Sequence, residues 1–202
     1  MIDMKKLIIK TSIITVSAII AAILLTYLTF VIFMPGRLAG FYDKLGLERQ
    51  AVKQMSREYE KTDDLSDLIK LCQYCDKYGD NRLIAQHFSK LFDNEAFLNY
   101  TKTLENGSEL YDLFAGKFVV ALYKTGKDSV FVVDRAFELT HAYVEYNPVH
   151  ALIVAALERE SIDAVTLTGI KDRLQILLTT APAAEIQLIS SHYDFLVGVL
   201  TE

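Results

Sequence analysis

The chain has 202 residues, 51% of them hydrophobic, with 21 basic and 26 acidic side chains and a net charge of −5. That is enough for one domain plus an appendage, and too hydrophobic for a purely soluble chain. Without residues 1–40, which hold Lys5, Lys6, Lys10, Arg37 and Asp3, the rest carries 17 basic and 25 acidic residues, which excludes binding to a phosphate backbone as its main task.

Residues 1–10 are a short basic tail. Residues 11–34, TSIITVSAIIAAILLTYLTFVIFM, run for 24 positions without a charge, and helix at about 1.5 Å per residue over that length crosses a hydrocarbon core of about 30 Å. The segment reads as a single transmembrane helix. A cleaved signal peptide competes with that reading, but its apolar region should be roughly 7 to 15 residues long and precede a small-x-small site; MPGRLAG is a poor one. The positive-inside count is nearly balanced, with Arg37, Lys44, Arg49 and Lys53 after the span, and slightly favours a cytoplasmic domain. Lys5 and Lys6 against the apolar run instead read as the start of an uncleaved signal anchor, which leaves the tail inside and exports the chain beyond Met34. The expected location is a single-pass membrane protein with an extracytoplasmic C-terminal domain.

Residues 35–46 are expected to be a juxtamembrane segment, and residues 47–202 an all-α domain. Helix-period spacing predicts helices over 47–60, 64–78, 81–92, 94–105, 108–124, 128–146, 149–160, 164–179 and 183–200. Cap-type residues or proline mark their starts: Asp63, Asp80, Asp93, Ser108, Asp128, Asn147 with Pro148, Asp163 and Pro182. SVFVVD has the β-branched content of a strand but leads straight into RAFELTHAYVEY, so it is read as helix.

Short helices with short breaks suggest stacked pairs. Tyr42, Gly46 and Ala51 in YDKLGLERQA reproduce the aromatic-x3-Gly-x4-Ala order at a tetratricopeptide inter-helix turn, and the chain resembles that family from here on. Gly79 follows Gly46 by 33 residues, with Leu68, Leu71, Cys72 and Cys75 before it and Phe88 after it. Ala136 and Pro148 resemble the second helix and closing proline of such a repeat, and Pro182 follows Pro148 by 34 residues, the family period. The pattern is degenerate: Ile84 replaces an expected Ala, closing prolines are missing near Asp63 and Ala96, and Gly79 to Gly126 is 47 residues. The resemblance implies a helical-hairpin repeat solenoid whose concave face docks a protein or peptide. An unrelated compact helical bundle is the other architecture.

LIKLCQYCDKYGD contains both cysteines. Leu65, Leu68, Ile69, Cys72 and Cys75 fall on one helical face, and cysteine packs as a small hydrophobe. A redox pair needs its first thiol at a helix N-terminus, whereas two turns precede Cys72. A zinc site needs four ligands, and only His87 lies close by. Core packing is the favoured reading, ahead of metal and redox roles.

Other signals carry little chemistry. YKTGKDS lacks the first glycine of a phosphate loop, since position 121 is Ala. His87, His141, His150 and His192 form no metal-ligand spacing. The carboxylates Glu58, Glu60, Asp63 and Asp64 read as a solvated helix end. Asn99 and Asn106 match the glycosylation sequon at chance frequency. Arg49, Lys53 and Arg57 form a basic stripe that reads as a solvated face or lies near anionic headgroups.

The expectation is a membrane-anchored scaffold or protein-interaction module that is not an enzyme, takes no cofactor or metal and binds no nucleic acid. Alternatives are a structural subunit of a membrane complex, with Ser17, Ala18, Ala21 and Ala22 as a small-xxx-small face, and, more distantly, a hydrolase or metal-dependent enzyme.

Overall fold

The computed structural model describes residues 4–140, 149, 151–153, 155 and 162–201. Every regular element among them is a helix. The chain divides into two compact units, residues 1–74 and 75–202.

In the first unit, α1 (Met4–Phe33) meets no glycine or proline until Pro35. Its segment Ile8–Phe33 has a mean hydropathy of 2.5 and is long and apolar enough to cross a membrane. Apolar side chains cover it on all sides, the pattern of a helix that has lipid rather than protein as its solvent. The hydroxyls of Thr15, Thr26 and Thr29 donate to the carbonyls of Thr11, Ala22 and Leu25 at 2.8–2.9 Å, so these three are satisfied within the helix.

Met34 breaks the helix at φ −137°, and α2 (Pro35–Lys44) follows at once. The segment 35–46, expected only as a juxtamembrane stretch, is thus largely helical. Pro35 stands at the first helical position, where its missing N–H costs nothing and its fixed φ favours the helix. Gly46, at φ 69°, then turns the chain, and Leu47 N–H donates to the Tyr42 carbonyl at 2.9 Å. Then comes α3 (Glu48–Thr62), which packs against α2, and α2 also packs on α1. Arg49, Lys53 and Arg57 are exposed, while Ala51, Val52 and Met55 are buried on another face. The next helix, α4 (Leu65–Tyr78), holds the division between the two units.

Two expected caps lie one residue early. Asp63 is the left-handed C-cap of α3, with φ 50°, and its neighbour Asp64 accepts from Ser66 N–H at 2.7 Å to start α4. Asp93 likewise closes α5 (Asn81–Phe92), and Asn94 caps α6 (Glu95–Thr101) by accepting from Ala96 N–H at 2.9 Å. Ser108 lies inside α7 (Gly107–Lys124) rather than before it. Asp80, Asp128 and Asp163 cap as expected: they accept from Arg82, Val130 and Thr166 N–H at 2.9, 2.9 and 2.7 Å. SVFVVD is helical, in α8 (Ser129–Thr140). The last helices are α9 (Ala164–Thr180) and α10 (Ala183–Thr201). The expected helix over 149–160 is described only at a few positions, where Val149, Leu152, Ile153 and Ala155 are buried. Asn147, Pro148, His141 and His150 lie outside the described residues.

The second unit packs mainly in chain order: α5 and α6 on α7, α7 on α8, α8 on α9, and α9 on α10. Its centre is aromatic. Phe92 stacks on Phe118 at 5.4 Å between ring centres and meets Phe97 and Tyr111 edge-on at 5.6 and 5.2 Å. Phe97 brings α6 into this cluster, and at 1% exposure it holds a seven-residue helix that would not persist alone.

Candidate functional site

Of the twelve residues marked as repeat positions, the eleven among the described residues go to packing or to turns. Ala51, Leu68, Leu71, Cys72, Cys75, Phe88 and Ala136 are fully buried. Gly46 and Gly79 have φ of 69° and 66° in tight turns, a left-handed conformation that favours glycine. The Tyr42 hydroxyl lies 3.1 Å from that of Tyr27. The carbonyl of Pro182 accepts from Glu185 N–H at 2.9 Å. Pro148 is outside the described residues.

Cys72 and Cys75 form no disulfide. Burial, and then the carboxylates of Asp80 and Asp76, push the Cys75 thiol up to about 12, opposite to the shift a reactive cysteine needs. Among the described residues no three of His, Cys, Asp and Glu stand together as a metal site.

The second unit contains an open groove of about 790 Å³, built by three helices. Phe118 and Leu122 of α7 form its floor. One wall is the polar face of α5, with Arg82, Ala85, Gln86 and Ser89; the other is α8, with Phe131, Asp134, Arg135 and Glu138. The spacing along both walls is i, i+3, i+4, i+7, the face of each helix opposite its core stripe. Phe131 is anomalous there: an aromatic ring 50% exposed among charges.

The charges divide into bound and unbound ones. Arg135 bridges Asp93 at 2.6 Å and Glu138 at 2.7 Å, and its guanidinium lies over the Phe118 ring at 5.9 Å. Burial works against the Arg135 charge, but the hydrogen bonds and charges of Glu138 and Asp93 outweigh it and raise its pKa. Asp134 pairs with Arg173, which covers Phe137 at 4.9 Å. All three groove carboxylates are therefore occupied. Arg82 and Lys127 are exposed and take no ion-pair partner among the described residues, so the groove presents two uncompensated positive charges beside an apolar floor. Val130 and Val165, 68% and 72% exposed, line a smaller adjoining cleft of about 260 Å³ between α8 and α9.

None of the repeat positions among the described residues lines this groove. The sequence signal that could have located it is Phe131, an aromatic on the polar stripe of its helix. Comparison with protein-family models, with curated proteins and with solved structures finds no match.

Proposed function

We propose that this chain is a membrane-anchored interaction module. α1 is its anchor, and the α5–α7–α8 groove docks a segment of a partner protein in which a carboxylate neighbours an apolar side chain. In this reading the helices form a degenerate tetratricopeptide-like solenoid, the domain is exported, and the chain has no catalysis of its own. The observation that carries it is the charge distribution of the groove: every carboxylate is tied to an arginine, while Arg82 and Lys127 stand open beside Phe131 and Leu122. Complementary charge selects and orients partners, and the apolar floor supplies the affinity.

The test uses the full chain in its native membrane with a photo-reactive amino acid at Gln86. One stoichiometric partner should crosslink, and charge reversal at both Arg82→Glu and Lys127→Glu should abolish the product while leaving the helical signal intact. Crosslinking indifferent to that reversal overturns the groove reading. Turnover by the purified chain alone would favour an enzyme instead.

A further inference from the structure

The corner between α1 and α2 contains a second cleft, of about 510 Å³, lined by Ala22, Ile23, Thr26, Tyr27 and Phe30 of α1 and by Arg37, Leu38 and Phe41 of α2. Nearly all of its surface is hydrocarbon. Its one charged lining residue is Arg37, which is exposed and has no ion-pair partner among the described residues. Together with the Tyr27–Tyr42 hydroxyl contact at 3.1 Å, the lining shows that α2 turns back toward the end of α1.

The apolar stretch of α1 supplies a depth scale. Roughly 20 residues of helix span about 30 Å of hydrocarbon, and counted from Thr11, the first residue past the last charge of the basic tail, they end at Phe30. Tyr27 and Tyr42 then lie within one turn of that boundary, the level at which amphipathic aromatic rings concentrate. The floor of the cleft, Ala22 to Thr26, lies below that boundary among acyl chains. Arg37, on the first turn of α2, stands level with the end of α1, three residues or about 4.5 Å farther out, in the headgroup layer.

We infer that this corner seats one anionic phospholipid of the leaflet next to the domain, with an acyl chain against Ala22, Thr26 and Phe30 and the headgroup phosphate on Arg37. The inference rests on α1 crossing the membrane. Apolar walls continuous with the bilayer select the chain, and a lone guanidinium at headgroup depth complements a phosphate in charge and in geometry. Phe41, 56% exposed, lies one turn after Arg37 on α2 and completes the α2 wall of the cleft.

The experiment places the full chain in nanodiscs of equal phosphatidylglycerol and phosphatidylcholine and releases it for native mass spectrometry. The parent should retain one phosphatidylglycerol. Arg37→Gln should lose the preference for that headgroup, and Ala22→Phe, which fills the cleft with apolar volume, should lose the retained lipid altogether. A parent that sheds all lipid with the disc, or variants that retain it as the parent does, overturn the proposal. Alkaline carbonate extraction separates the two failures. A chain that stays with the membrane but retains no lipid refutes this site alone, whereas a chain that is extracted refutes the anchor.

Discussion

Lys61, on the last turn of α3, donates a hydrogen bond of 3.2 Å to the carbonyl of Phe33, the final residue of α1. One turn earlier on α3, the Glu58 carboxylate accepts from Gly36 N–H at 2.9 Å, at the start of α2. A cation thus faces the C-terminal end of one helix and a carboxylate the N-terminal end of the next, each matched to the local dipole. The two contacts latch the α1–α2 corner onto α3.

Removing either contact should loosen that corner. Lys61→Met and Glu58→Met are each expected to cost about 1 kcal/mol locally, which raises amide exchange in peptides covering 34–44 by about five-fold. Hydrogen-exchange mass spectrometry of the full chain in detergent measures this, and unchanged exchange in both variants would mean that the latch does not hold the corner.

Glycine positions should rank by mechanism. At Gly79 an added methyl meets no atom within 4 Å, and only the φ of 66° resists it, so Gly79→Ala should cost about 1 kcal/mol. At Gly107 a Cβ would fall 1.7 Å from the Thr101 carbonyl oxygen, and the turn joining α6 to α7 must open to admit it. Gly107→Ala should therefore cost more, upward of about 2 kcal/mol. Thermal denaturation of the two variants checks the order, and equal midpoints would contradict it.

Cys75 should resist thiol reagents in the folded chain and react on denaturation. Its pKa rises from 9.0 to about 12 on folding. Between those values the unfolded thiol has lost its proton and the folded one has kept it, so its contribution to stability is intact below about pH 9 and declines as pH rises toward 12. Denaturant midpoints measured along that range should fall less steeply in Cys75→Ala than in the parent; parallel curves would refute the assignment.

Asp163 should govern part of the acid limb. The Thr166 backbone N–H, with the Tyr123 hydroxyl assisting, holds its pKa below the usual carboxylate value. The sign is opposite to that of Cys75: the contribution is present above the unfolded pKa and is lost as pH falls through the lowered folded one. Asp163→Asn, which keeps a cap acceptor but removes the charge, should flatten the acid decline. Asp163→Ala should cost about 1 kcal/mol at neutral pH. Circular dichroism between pH 2 and 7 distinguishes the two.

Helical periodicity made most of the elements legible, because amphipathic stripes such as Leu68, Ile69, Cys72 and Cys75 repeat with the helix and are buried together. The helix α2 was not legible: Pro35, Gly36 and Gly40 look like breakers until Pro35 is seen to start a helix rather than interrupt one. The paired cap residues Asp63–Asp64 and Asp93–Asn94 are ambiguous for a different reason. Either member has the right chemistry, and only the backbone, left-handed at Asp63, decides which closes one helix and which opens the next. Phe131 marks one wall of the groove, but the groove as a whole was not legible because its walls belong to α5, set on α7 by Phe92 against Tyr111 and Phe118, and to α8, held on α7 where the Tyr111 hydroxyl donates to the Leu139 carbonyl. Periodicity assigns faces to helices but does not say which faces meet.

The latch of Glu58 and Lys61 has a mechanical consequence. A flexible linker after a membrane span would let the following helices swivel freely, whereas here α1, α2 and α3 are joined on both sides of the bend. A 26-residue apolar stretch is longer than a bilayer of ordinary thickness requires, and such helices lean by an amount that varies with that thickness. With α1 as the proposed anchor, a thinner membrane makes it lean further, and the two contacts at the corner carry α3 with it. On that reading the pitch of the α2–α3 pair is geared to the thickness of the surrounding lipid.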